Sequence, residues 1–98
     1  MTFIVQFSAE ADGQMDDLAR DKAKAKRFKA VNKALALLEI NPRHPGLNTH
    51  KFSSMRALGG KEVFEAYAEN NTPGAYRIFW QYGPGKNVIT ILAITRHP

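Results

Sequence analysis

Phe3, Val5 and Phe7 alternate with Thr2, Ile4 and Gln6 at the start of the chain. A period of two built from β-branched and aromatic residues predicts a first strand over residues 2–8. Glu10, Asp12, Asp16 and Asp17 come next, acidic residues that suit a helix N-terminus, and Gly13 among them predicts a first helix that is short or broken. From Asp21 to Ile40 no Gly or Pro intervenes, and Phe28, Val31, Leu35 and Leu38 recur at helical spacing. This stretch reads as one helix with an apolar face. Lys22, Lys26, Lys29 and Lys33 fall on its other side and read as a solvated face. Asn41-Pro42 ends the helix, because the residue before a proline is biased out of the helical region, and Pro45-Gly46 prolongs the break.

Beyond Gly59-Gly60 come three strand-like runs, 63–69, 75–82 and 88–95. The segments between them, Asn70-Asn71-Thr72-Pro73-Gly74 and Gly83-Pro84-Gly85-Lys86-Asn87, carry turn chemistry and are short enough for hairpins, so an antiparallel meander is expected. The last run is almost unbroken in Ile, Val and Leu, which predicts a central strand buried on both faces. In the run before it, alternation puts Tyr76, Ile78, Trp80 and Tyr82 on one side and Ala75, Arg77, Phe79 and Gln81 on the other. The predicted order is β-α-α-β-β-β. That is an α+β fold in which an antiparallel sheet of about four strands carries an N-terminal helical hairpin on one face and leaves the other open.

The chain's 98 residues, read as a single domain over 1–98, provide one core. The absence of cysteine excludes disulfides, thiolate zinc sites, iron–sulfur clusters and cysteine nucleophiles together. No apolar run approaches the ~20 residues that span a bilayer, and the start lacks the pattern of a secretory signal, so a cytoplasmic protein with no membrane contact is expected. Charge is uneven. Residues 1–21 balance at −4, residues 22–61 at +9, and residues 62–98 at zero. A basic stretch of this kind attracts polyanions, which makes nucleic acid or an acidic protein the expected partner class.

Candidate chemistry centres on a few residues. An arginine mid-strand, Arg77, must be paired, reach solvent or face a polyanion, because an isolated buried charge is prohibitively costly; Glu65 and Glu69 across the hairpin are its available partners. His97 comes directly after the last strand, a well-held place for a group that titrates near neutrality. His44 and His50 sit with Arg43 and Lys51 in the loop after the helix, where binding groups tend to lie. The histidines have no His-Glu-x-x-His spacing and no acidic cluster beside them, so no metal and no cofactor is expected. Gly59-Gly60-Lys61 lacks the spacing of a phosphate loop, and proximity of His50 to Ser53 and Ser54 in sequence makes no triad.

Taken in order, Leu35-Ala36-Leu37-Leu38-Glu39-Ile40-Asn41-Pro42, Gly46-Leu47, His50-Lys51-Phe52, Ala75-Tyr76-Arg77-Ile78-Phe79-Trp80 and Ile91-Leu92-Ala93-Ile94-Thr95-Arg96-His97 resemble the RelE/ParE superfamily of bacterial toxin–antitoxin toxins. The resemblance spans nearly the whole chain. It implies a metal-independent mRNA endoribonuclease, free or ribosome-dependent, that drives the ribose 2′-OH onto the adjacent phosphate, inhibited by a small cognate antitoxin. The ParE branch implies instead a non-catalytic DNA gyrase inhibitor, and a degenerate member would only bind a partner. By the same resemblance Arg77 matches the phosphate-binding strand arginine, His97 the general acid, and His50 a further basic or acid/base group. Lys51, Arg43, Arg56 and Arg96 are then the candidate substrate-binding cations, and Glu65 is a possible base or a neutralising partner for Arg77. The chain departs from the family pattern at Pro98, where a tyrosine often follows the histidine, and in Val63-Phe64-Glu65-Ala66-Tyr67-Ala68, which lacks a further arginine.

Overall fold

The computed structural model describes residues 2–55, 60–71 and 73–97. The first strand, β1, spans Ile4–Phe7. Ser8 ends it and caps helix α1, Ala9–Arg20: its hydroxyl accepts the Ala11 N–H at 3.1 Å and donates to the Leu92 carbonyl at 2.9 Å. Contrary to expectation, Gly13 neither shortens nor breaks α1. A helical glycine costs about 1 kcal/mol relative to alanine. Burial of Ala11 and Leu18 and the acidic first turn of Glu10 and Asp12 favour the helix against that cost.

The helix expected over 21–40 is divided. Asp21 accepts the Ala23 N–H at 3.0 Å and caps a 3₁₀ turn, Lys22–Lys24, before helix α2 runs from Ala25 to Ile40. Lys22, Lys26, Lys29 and Lys33 are all exposed, as a solvated face requires. The helix stops where the Asn41-Pro42 signal places its end. The segment after α2 is more ordered than a loop. Pro45–Leu47 forms a 3₁₀ turn around the buried Leu47, and His50–Lys51 forms a two-residue strand, β2.

The remaining strands are β3 (Phe64–Tyr67), β4 (Tyr76–Tyr82) and β5 (Val88–Arg96). The sheet has five strands in the order β1-β5-β4-β3-β2, which corrects the expected four, and it is mixed because β1 pairs with β5 in parallel. The parallel pair follows from the path: the chain leaves β1, crosses through both helices and returns beside it, which a hairpin cannot do. β5 is interior as its apolar run predicts, although β4 occupies the centre.

Tyr76, Ile78 and Trp80 face the helices, where Ile78 and Trp80 are fully buried with Leu38, Val31, Ile89 and Ile91. Phe64 stacks on Trp80 with ring centroids 4.9 Å apart. The opposite face is not left bare. Phe52 and Met55 fold over Phe79, Ala93 and Val63 to make a second, smaller apolar cluster.

One irregularity matters for the site. Phe79 pairs with Ala93 but Trp80 pairs with Ile91, so Leu92 is an extra residue bulged out of the ladder. Its carbonyl is the one that accepts the Ser8 hydroxyl. Before the bulge Ile89 and Ile91 face the helices; after it Ile94 does. The alternation has changed phase.

Candidate active site

Side chains of paired residues share a face of a sheet. Glu65 pairs with His50 on one side and Phe79 on the other, and Tyr67 pairs with Arg77. His50, Glu65, Tyr67 and Arg77 therefore all lie on the face away from the helices. His97 joins them because of the bulge. Arg77 pairs with Thr95, so the phase change that turns Ile94 towards the helices turns Thr95, and next His97, towards Arg77.

Glu65 is the hub and is fully buried. Its Oε2 accepts a hydrogen bond from His97 Nδ1 and lies 3.7 Å from Arg77 Nε. His50 Nε2 lies 2.7 Å from Oε1, close but poorly aligned for a linear hydrogen bond. A carboxylate with no access to water thus faces three nitrogen-bearing side chains, the arrangement a buried charge needs. Both imidazoles remain about half exposed, at 46% for His50 and 51% for His97, so solvent and ligand reach them while the carboxylate beneath stays covered.

Arg77 is held by what surrounds it. Nη1 donates to the Glu69 carbonyl at 2.5 Å and to the Tyr76 carbonyl at 3.4 Å, and the guanidinium carbon sits 3.6 Å from the centre of the Tyr67 ring. The flat guanidinium on the ring's negative face fixes its plane. Neither partner expected across the hairpin binds it in the simple form: Glu65 approaches without a hydrogen bond, and Glu69 contributes its backbone. The Glu69 carboxylate instead holds Arg27 at 2.7 Å and the Tyr76 N–H at 3.1 Å. Arg77 Nε is buried with no hydrogen-bond partner and faces the Glu65 carboxylate.

Two aromatic rings flank the group. Phe52 meets His97 edge-on at 5.9 Å, and Tyr67 meets His50 edge-on at 5.7 Å. A cleft of about 320 Å³ opens on the Phe52 side, lined in part by Lys51 and Lys61, and one of about 310 Å³ opens beside Tyr67, lined in part by Asn48. No cluster of metal-ligating side chains occurs among the described residues.

Of the residues singled out in the sequence, the structure brings Arg77, His97, His50 and Glu65 together. It does not bring the other cations in. Arg43 lies 5.2 Å over the ring of Phe64, on the helix side of β3. Arg96 pairs with Tyr76 and lies against Gly74, also away from Glu65. Lys51 pairs with the exposed Glu62 at 3.3 Å and borders a cleft. Arg56 lies outside the described residues. Tyr67 and Phe52, which flank the cluster, were not singled out; period two in β3 puts Tyr67 on the face of Glu65, but its place under Arg77 needs the register.

The fold and the site can be set beside solved structures. The chain is similar over 98% of its length to a chain of the archaeal RelE–RelB complex from Pyrococcus horikoshii OT3, covering 96% of it, with 18% identity and a TM-score of 0.64. It is similar end to end to the YoeB dimer from Staphylococcus aureus, with 15% identity and a TM-score of 0.69. Against the YoeB/ParE toxin from Agrobacterium tumefaciens it covers 98% of its own length and 100% of the other, with 7% identity and a TM-score of 0.72. The fold is that of the RelE/ParE toxins. No family model matches the sequence, and no curated protein matches it. The RelE/ParE likeness is one of backbone, so the chemistry has to be argued from the side chains present here. No described helix is long and apolar enough to cross a membrane.

Proposed function

We propose that this chain is the toxin of a toxin–antitoxin pair and that it cuts RNA with its own side chains, free or on the ribosome. The observation that carries this reading is the convergence of Arg77, from β4, and His97, just past the end of β5, on the buried carboxylate of Glu65 at the sheet face without helices. The fold shared with a chain of a RelE–RelB complex supports a small protein antitoxin as the partner.

The reaction needs a 2′-hydroxyl deprotonated, a phosphorane stabilised and a 5′-oxygen protonated. Arg77 suits the phosphorane: its plane is fixed by Tyr67, and it stands in the same cluster as His97 with the flat fork of donors that matches phosphate oxygens. Glu65 on His97 Nδ1 holds that ring with Nε2 directed elsewhere, as a carboxylate does for a working imidazole. The 2′-hydroxyl gives its proton to His97 Nε2, whose ring Glu65 holds, the 2′-oxygen bonds to phosphorus, and the P–O5′ bond breaks as the same nitrogen returns that proton to the leaving oxygen. The products are a 2′,3′-cyclic phosphate, which opens to a 3′-phosphate, and a 5′-hydroxyl.

Purified protein incubated with RNA in EDTA, with and without ribosomes, tests the reading. Cleavage is expected, and His97→Ala and Arg77→Ala are each expected to lower it by about 10²–10⁴-fold. Intact RNA in both conditions, with DNA gyrase inhibited instead, would overturn the nuclease and favour the gyrase-binding alternative.

A further inference from the structure

His50 and His97 touch the same carboxylate, yet their rings are placed differently. We propose that His50 is a positioning residue that locks Glu65, and that His97 Nε2 is the imidazole nitrogen of this cluster that exchanges protons with a substrate. The inference deepens the ribonuclease reading and rests on it for its catalytic part; its structural part stands alone.

Both ring nitrogens of His50 face a neighbour. Nδ1 lies 2.9 Å from the carbonyl oxygen of Asn48. A carbonyl can only accept, so Nδ1 carries a hydrogen and donates it. Nε2 lies 2.7 Å from Glu65 Oε1. The contact is one of proximity to the carboxylate rather than a linear hydrogen bond, and it places the Nε2 edge of the ring against Glu65. Nε2 is therefore committed to Glu65 by its position, as His97 Nε2 is not. His50 is a bridge between a backbone carbonyl and a carboxylate.

The backbone end of that bridge is rigid. Asn48 takes the left-handed conformation, φ 51°, at the end of the Pro45–Leu47 turn, and its N–H donates to the Pro45 carbonyl at 3.2 Å. Leu47 beside it is fully buried, and the Thr49 hydroxyl donates to the Pro42 carbonyl at 2.8 Å. The carbonyl that receives His50 therefore has little freedom to move. Through His50 it fixes Oε1, which leaves Oε2 directed at His97 Nδ1.

His97 differs in the decisive respect. Its Nδ1 is engaged by Glu65, and its Nε2 forms no hydrogen bond among the described residues. With Nδ1 donating to a carboxylate, the ring is held in the tautomer whose Nε2 is bare and can take or return a proton. The ionisable groups that face the pair are Glu65 and Tyr67 from β3 and Arg77 from β4.

Two readouts test this on the full chain. Long-range ¹H–¹⁵N correlation spectra of the imidazoles at neutral pH are expected to show a hydrogen on His50 Nδ1 and His97 as the Nδ1–H tautomer. In His50→Ala, part of His97 is expected to convert to the Nε2–H tautomer. A bare His50 Nδ1, or a His97 tautomer unmoved by His50→Ala, would overturn the positioning role even if the protein cleaves nothing. For RNA cleavage, His50→Ala is expected to lower kcat by about 10–100-fold, the cost typical of removing a group that orients another. His50→Gln, which keeps a donor for Glu65 but cannot titrate, is expected to restore most of that loss with the pH profile of the parent retained. His50→Gln as inactive as His97→Gln, in a protein that still folds, would make His50 a proton-transfer group. Absence of cleavage by the parent protein with the expected tautomers would overturn the ribonuclease reading and leave the lock standing.

Discussion

Arg77 and Ile78 are consecutive residues of β4, yet they belong to two different regions of the molecule. On the helix side, Ile78, Trp80, Ile89 and Ile91 are fully buried against Val31 and Leu38, and apolar area removed from water supplies stability. On the other side the same strands present Glu65, Tyr67 and Arg77, and a buried carboxylate stands beside the smaller apolar cluster around Phe79. Desolvating such a group cancels most of what its pairing contributes, so the charged cluster adds little net stability while it fixes side chains in place. The lesson is a division of labour set by the two-residue period of a strand. Substitutions in the helix-side core should change folding, and substitutions in the charged cluster should change activity.

The largest effect that would sharpen this division is expected from Trp80→Ala, which should destabilise by about 3–5 kcal/mol in a denaturant titration, because a fully buried ring leaves a cavity. His97→Ala removes a half-exposed ring and lets water reach Glu65 in its place, so it should cost clearly less than Trp80→Ala in the same titration. An equal loss from both would break the division. Deleting Leu92 is a second test, read in RNA cleavage. With Leu92 gone, Ala93 follows Ile91 and still pairs with Phe79, so Ile94 keeps facing the helices and His97 keeps facing Arg77; cleavage should survive while the sheet persists by circular dichroism, and a loss as deep as in His97→Ala would break the assignment of faces. Ser8→Ala should cost about 1 kcal/mol through loss of the α1 cap, and more if its bond to the Leu92 carbonyl helps hold the bulge. The smallest effect is expected from Lys29→Glu with Lys33→Glu on the exposed face of α2. Stability should be unchanged, and the salt dependence of RNA binding should become shallower if that face meets the polyanion.

Much of the fold was legible because it rests on short-range patterns. The alternation of Tyr76, Ile78 and Trp80 against Arg77 and Phe79, the apolar spacing of Phe28, Val31, Leu35 and Leu38, and the Asn41-Pro42 stop each encode one face or one end of an element. What escaped is set by pairing across distance. β2 has two residues, too few for any period to appear, and the parallel β1–β5 pair joins segments some eighty positions apart. The continuous apolar run 88–94 also hides its own bulge, since a strand buried on both faces shows no alternation whose phase change could be seen. Arg77 and His97 stood out by chemistry. Their meeting at Glu65, with His50 opposite, depends on register and on the bulge at Leu92, which single-strand patterns do not carry.

The central claim is that Arg77, Glu65 and His97 form one centre that drives a ribose hydroxyl onto its neighbouring phosphate. Mass spectrometry of the ends made on a defined RNA, with ribosomes supplied in a parallel reaction, tests it most directly. Fragments carrying a 2′,3′-cyclic phosphate or 3′-phosphate on one side of the cut and a 5′-hydroxyl on the other are expected, and they should vanish with His97→Ala. Fragments with 5′-phosphate ends, or the same fragments produced undiminished by His97→Ala, would contradict it.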